Sequence, residues 1–232
     1  MRLIKSARDL DELLQIYQSS GHAFNDRHYS GLWVTLRKRV VDKHLGLTSM
    51  KGLDTFRKVC EDTATMISNE LISQRALSSI LHTLVAARLS GHGPWDRIWT
   101  ESATALTRAD LSMFSAQSIC NIVWAFAHVK DAHSEVFPML EHAVMTRLQN
   151  RAQREEFISQ GIGSLAWSFA TAGHTSPALF DALANVAHER LSEFNAHELS
   201  NVAWAFATAK SSAPRLFDGI ATRAIPSLSA FT

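Results

Sequence analysis

Apolar residues recur along this chain at helical intervals. Leu10, Leu13, Leu14 and Tyr17 share one face of a 3.6-residue period, and Asp9 stands just ahead of them as an N-cap. Phe137, Leu140, Val144 and Leu148 form a stripe that recurs as Phe180, Leu183, Ala187 and Leu191, then as Phe217, Ile220, Ala224 and Leu228. Offsets of 0, 3, 7 and 11 describe one side of an α-helix. Phe56, Val59 and Ile67, and Trp99 with Leu106, follow the same rule less completely. Breakers separate these stretches: Gly91 to Pro94, Gly173 to Pro177, and Ser211 to Pro214, while Pro226 is expected to end or kink the last helix. No stretch alternates with period two over a strand length, so the pattern predicts helices throughout.

The helices repeat. FSAQSICNIVWAFAHVK from Phe114, FISQGIGSLAWSFATAG from Phe157 and FNAHELSNVAWAFATAK from Phe194 align without gaps. Each places a tryptophan ten residues after the leading Phe (Trp124, Trp167, Trp204) and a second Phe twelve after it (Phe126, Phe169, Phe206). The leading residues are 43, 37 and 37 apart, and Phe231 opens a further copy as the sequence stops. The frame extends backwards in weaker form through Phe24, Tyr29, Leu32, Trp33 and Leu36, and through Ile72, Leu77, Ile80, Leu81 and Leu84. Asn25, Ser73, Ser115, Asn195 and Thr232 follow their leading residues as N-caps. Ile158 breaks this rule, with Ser159 the nearest substitute. One hairpin cannot hide both apolar faces, whereas stacked hairpins share a core. The expectation is an all-α fold, an α-solenoid of about four to five helical hairpins with 37–48-residue repeats. Degenerate repeats would fill 1–113 and well-formed ones 114–156, 157–193 and 194–230, with another starting at 231, in one continuous solenoid. Buried W-x-F pairs are expected to dominate its cohesion, at about 1.5–3 kcal/mol per ring. Gly161 and Gly163 would each weaken their helix by about 1 kcal/mol against alanine.

Composition narrows the classes. The 232 residues are 46% apolar and 19% charged, with a formal net charge of +1, which excludes a disordered, collagen-like or strongly basic chain. Two cysteines, Cys60 and Cys120, make neither a disulfide framework nor a zinc site. No apolar run approaches a membrane span of about 18 residues, so no membrane partner is expected. MRLIKSAR is cationic, but DLDELL follows at once, which is not the pattern of a transit peptide.

Chemical motifs dissolve in the repeat frame. GIGSLA (161–166) matches a dinucleotide pattern, yet its glycines align with Ser118 and Glu198 and with Cys120 and Ser200, inside helices without a preceding strand. His128, His133 and His142, and His188 beside Glu189, lack metal-ligand spacing. No nucleophile elbow or P-loop occurs. No catalytic residue, metal, cofactor or small-molecule substrate is expected, and the chain reads as a non-enzyme with a working surface.

That surface is sought on the first helices. Offsets +4, +7, +11 and +14 give Ser118, Asn121, Ala125 and His128; Gly161, Ser164, Ser168 and Thr171; Glu198, Asn201, Ala205 and Thr208. The stripe is either a packing seam, with Asn121 and Asn201 bonded across it, or a concave wall that reads nucleobase edges. Gln117, Gln160 and His197 at +3 vary on a constant scaffold near the helix N-termini, whose dipole suits a phosphate. Lys130 and Lys210 share a slot after the first helix with Gly173, and Arg147, Arg190 and Arg223 lie near the ends of second helices; each is either a phosphate contact or a solvated cation. Candidate RNA contacts are therefore Gln117, Ser118, Asn121, Gln160, Ser164, His197, Glu198, Asn201, Lys130 and Lys210. Cations lined along the wall would favour RNA and salt-sensitive binding, and dispersed ones a protein partner.

The phrase F-x-x-Q/H-x-I/L-x-N-x-x-W-A-F-A, followed by LF-x-A-L-A-x-x-A-x-x-R-L, resembles the octotricopeptide repeat of organelle RNA-binding factors. It is also similar to the repeats of FAST-kinase-like mitochondrial proteins and of the RNA-editing substrate-binding complex. Residues 157–193 and 194–230 match closely, 114–156 well, and 1–113, opening IKSARDLDELLQIYQ, loosely. The resemblance implies single-stranded RNA binding in a mitochondrion or plastid, acting on transcript maturation, stability or translation. Members often carry a C-terminal RAP module, which nothing here resembles, so binding without cleavage is implied. A sequence stopping at the start of a repeat is expected of a piece of a longer array. The rival reading is a protein-binding α-solenoid of the HEAT or TPR kind.

Overall fold

The computed structural model describes residues 2–43, 50–90, 92–129 and 133–225, the side chains of 39–43 and 50–52 excepted. The fold is all-α, and no strand occurs among the described residues. No described helix is long and apolar enough to cross a membrane. The chain divides into two compact units, Met1–Phe114 and Ser115–Thr232.

The first unit holds α1 (Arg2–Ser6), α2 (Leu10–Ser20), α3 (Asp26–Lys43), α4 (Met50–Ser68), α5 (Gln74–Ala86) and α6 (Asp96–Arg108). The second holds α7 (Ala116–Ala127), α8 (Phe137–Gln149), α9 (Arg151–Arg154), α10 (Ser159–Ala172), α11 (Pro177–Glu189), α12 (Ala196–Thr208) and α13 (Pro214–Ala224). Packing alternates in both. In the first unit α3 packs on α1 and α5, while α4 packs on α2 and α6. In the second α10 lies between α7 and α12, while α11 lies between α8 and α13. Each unit thus packs as two rows of helices, which is consistent with a solenoid of hairpins.

Local chemistry sets the helix ends. Asp9, Ser73, Ser115 and Asn195 each accept an N–H from the first turn, and Asn195 forms a full capping box with Glu198. Asn25 accepts from His28 N at 3.2 Å. Thr232 and Pro226 lie outside the described residues. Ser159 is no substitute cap: it sits inside α10, and its hydroxyl donates to Glu193 O and Glu198 Oε2, at 3.3 and 3.4 Å, on the following repeat. Ile158 holds the cap position without a side-chain bond. The 43-residue spacing also has a cause: the extra length forms α9, started by Asn150 accepting from Ala152 N and Gln153 N.

The core follows most of the predicted stripes; Leu10 and Leu191 are half-buried, and α13 departs furthest. Phe137, Leu140, Val144, Phe180 and Leu183 are fully buried, as are the second phenylalanines Phe126, Phe169 and Phe206. In α13 only Leu216 is buried and Phe217 is 36% exposed, because among the described residues this helix has α11 and α12 on one side and no helix on the other. The first unit is held by Trp33, which is fully buried against Phe56 with ring centroids 6.1 Å apart, its indole N–H donated to Thr63 Oγ1 at 3.1 Å. Tyr17 donates to Asp62, and burial together with that bond raises its pKa.

Candidate nucleic-acid interface

The tryptophans of the repeat are not core residues. Trp124 and Trp167 are half-buried and Trp204 is 48% exposed, whereas the phenylalanines two positions on are buried. Helical geometry requires the split: residues two apart in a helix point about 200° apart and cannot enter one core together. The indoles instead form a row along the surface of α7, α10 and α12. His128 lies 4.5 Å from the Trp124 ring and 5.5 Å from Trp167, and Trp167 lies 6.3 Å from Trp204 at a 31° tilt.

The row shares its face with the polar candidates. Gln117, Asn121, Trp124 and His128 stand at helical i, i+4, i+7 and i+11 positions, as do Gln160, Ser164, Trp167 and Thr171, and His197, Asn201, Trp204 and Thr208. Gln117, Gln160 and His197 are exposed, and Asn121, Ser164 and Asn201 half-buried. Between α10 and α12 they border an open groove of about 610 Å³. Trp124, Gln160, Gly163, Ser164, Trp167, Asn195, His197, Glu198 and Asn201 line it. Five of the ten candidates thus meet in one place. Gln117 and Asn121 stand on the same register of α7 without lining the groove.

The neighbouring register is a packing seam. Ser118, Ala125, Gly161, Ser168 and Ala205 are buried. Ser118 is buried at 6% exposure and accepts from the Ser115 hydroxyl at 3.0 Å. Helices approach closely here: a Cβ on Gly161 would stand 3.3 Å from Cys120 Sγ, and one on Gly163 would meet Val202 at 3.6 Å. The asparagines bond within their own helices and not across the seam, Asn121 accepting from Gln117 Nε2 at 2.8 Å and Asn201 pairing with His197 at 3.3 Å. Each first helix therefore carries two adjacent stripes, one buried seam and one open row.

The cations read differently from the expectation. Lys130 lies outside the described residues. Lys210 is exposed, and its slot is a helix terminator: Gly173 and Lys210 both have left-handed backbone, φ 73° and 52°, as does Arg88 (φ 61°) sixteen residues after Ile72. The following N–H reaches back to the fifth residue, His174 to Phe169 O and Ser211 to Phe206 O at 3.0 Å, and Leu89 to Leu84 O at 2.8 Å. A lysine tolerates this conformation less well than glycine, so Lys210→Gly is expected to raise stability by about 0.5–1 kcal/mol, visible as a higher midpoint in urea with unchanged slope.

The arginines serve the scaffold. Arg190 donates to Phe157 O and to Glu193 (2.7 Å), Arg223 to Ser192 O (3.1 Å) and Phe194 O (3.4 Å), and buried Arg147 pairs with Glu156 at 3.6 Å. Among the described residues no Lys or Arg lines the groove, and residues 115–232 carry eight Lys and Arg against ten Asp and Glu. Glu198, the carboxylate in the lining, accepts from Asn195 N at 3.0 Å as part of its capping box. The described lining of the groove offers flat rings, amides, a hydroxyl and the capped Glu198 carboxylate.

Burial pushes the Cys60 and Cys120 thiols up to about 12, with the Glu61 charge adding to the effect at Cys60, so both stay protonated near neutrality and are poor nucleophiles. Among the described residues no cluster of His, Cys, Asp or Glu could hold a metal ion. No protein-family model matches the chain, and no curated protein matches it.

Proposed function

We propose that this chain is a non-catalytic single-stranded RNA-binding protein, one that grips bases on the indole row of its second unit and acts in RNA maturation, stability or translation in a mitochondrion or plastid. The supporting observation is the row of Trp124, His128, Trp167 and Trp204 beside amide and hydroxyl groups on one helical face. Single-stranded RNA is recognised by stacking unpaired bases on aromatic rings and reading their edges with short polar side chains. The octotricopeptide-like residues supply the organelle part of the reading. Stacking contributes about 1–3 kcal/mol per base, so four or five bases give a modest gross total before ordering costs are subtracted, and binding by this segment is expected to be weak or cooperative.

The groove's charge sets the form of the binding. With few phosphates neutralised, log K should fall with log salt at a slope shallower than about −1.4, the value for two contacts to a single strand. Fluorescence anisotropy with a random single-stranded RNA pool across a salt series measures both quantities. Alanine at Gln117 or Gln160 is expected to change base preference while leaving helicity intact. Undetectable or salt-independent binding across the pool would remove the reading. The lack of a cation among the described residues of the groove, with the acidic balance of residues 115–232, favours a second reading, a scaffold that holds an extended peptide against the same rings and amides.

A further inference from the structure

We infer that the joint between Ile72 and Phe114 is a binding site for a guanidinium, the side chain of an arginine on a partner peptide, and that the protein fills the corresponding place at a later joint with its own Arg190. The inference does not depend on the RNA-binding reading.

The repeat frame supplies the comparison. At the joint between the leading residues Phe157 and Phe194, Arg190 stands four residues before Phe194, at the N-cap of the 3₁₀ turn Leu191–Glu193. Its guanidinium donates across the joint to Phe157 O, and to Glu193 Oε2 at 2.7 Å. Glu155, two residues before Phe157, adds its charge to the hold on Arg190. Arg223 likewise donates to Phe194 O at 3.4 Å. Twice, then, the second unit sets a guanidinium on the carbonyl of a leading residue.

The joint between Ile72 and Phe114, within the first unit, has the acceptors without that arginine. Asp110 stands four residues before Phe114 at the N-cap of the 3₁₀ turn Leu111–Met113, in the place of Arg190. Glu70 stands two residues before Ile72, in the place of Glu155. Among the described residues no side chain donates to Ile72 O, and neither carboxylate is in an ion pair. The leading residue is also smaller: Ile72 is half-buried, whereas Phe114, Phe157 and Phe194 are buried rings. The joint holds a pocket of about 220 Å³, with Ile67, Ile72, Leu77 and Phe114 among its apolar walls. Glu70, Asp110 and Arg108 are its charged lining.

That lining selects the occupant. Two carboxylates against one guanidinium leave it acidic by one charge. Hydrogen bonds from the side chain and backbone N–H of Ser112 hold the Asp110 carboxyl below the usual carboxylate range, so it is ionised near neutrality. A cation on an apolar stem suits such walls, and a carbonyl beside carboxylates suits the planar fork of arginine better than the ammonium of lysine. Arg108 does not play the part of Arg190: it is exposed and in no ion pair among the described residues.

The test is an NMR titration of the whole chain with N-acetylarginine methylamide, read at the backbone amides of Gln74, Leu77, Met113 and Phe114. Saturable shifts centred on these amides are expected. The citrulline analogue keeps the shape and loses the charge, and should bind at least about 10-fold more weakly; the lysine analogue should also bind more weakly. Asp110→Arg sets a guanidinium where Arg190 stands in the later joint, and should abolish the shifts and raise the urea midpoint. Glu70→Gln should weaken arginine binding about 2- to 5-fold, which covers the case of a poorly folded Asp110→Arg variant.

No shifts at these amides with the arginine probe, or shifts that persist unchanged in both variants, would overturn the site. Equal binding of the citrulline analogue, or of N-acetylphenylalanine methylamide, would overturn the guanidinium as its occupant.

Discussion

Replacing Phe169 by alanine is expected to destabilise the second unit by about 3–5 kcal/mol, the range for a buried phenylalanine that leaves a cavity. Phe169 is fully buried in α10, with its ring 6.1 Å from Phe137 of α8 in an edge-to-face arrangement. Its carbonyl also accepts the N–H of His174 that closes the helix. Trp167, two residues away, is the larger ring and from sequence the more obvious structural one. Trp204→Ala, at the equivalent place in the next repeat, should nevertheless cost only about 1 kcal/mol, because half of that indole already faces water. Urea denaturation followed by circular dichroism distinguishes the two. A Trp204→Ala loss as large as that of Phe169→Ala would mean that the indole row belongs to the core.

The second large effect is at Trp33. Its indole is fully buried, lies edge-on to Phe56 and bonds to Thr63, thirty residues away on α4. Trp33→Ala should cost about 3–5 kcal/mol, enough to melt the first unit at temperatures where most small domains are folded. Trp33→Phe keeps most of the apolar volume and loses the N–H donor. The Thr63 hydroxyl keeps its bond to Val59 O at 2.6 Å, so no buried donor is orphaned, and the loss should be about 1–2 kcal/mol. Near-ultraviolet circular dichroism reports the environment of this ring during the same melts. Equal losses for the two variants would place the energy in the hydrogen bond and not in the ring.

Both predictions bear on what was legible in the chain. Helix type, the first and second helices of each hairpin and most of the N-caps followed from apolar spacing and from the chemistry of Ser, Asn and Asp ahead of it. The buried phenylalanines followed as well. The side on which the tryptophans fall did not, because their size argued for burial while their offset from phenylalanine argued against it. The offset was the better guide: two residues is about 200° of turn. It also places Trp124 on the stripe of Gln117 and Asn121, which were singled out for other reasons, so the open row was present in the sequence one register away from the stripe chosen. The helices α1 and α9 were not legible, since five and four residues are too short to show a period. The left-handed terminator was hidden because only one of its three described occupants, Gly173, is a glycine; Arg88 and Lys210 looked like charge.

Those terminators have a consequence for how such an array can change. Each stands sixteen residues after its leading residue, at Arg88, Gly173 and Lys210, so the lengths of α5, α10 and α12 are set from within those helices. Extra chain has been taken up elsewhere, at the joint after α8, where α9 absorbs it before Phe157 restarts the count. Insertions and deletions at that joint can be tolerated by a lineage without pushing Trp124, Trp167 and Trp204 out of step, whereas one added residue inside a first helix would rotate its indole by about 100° and break the row.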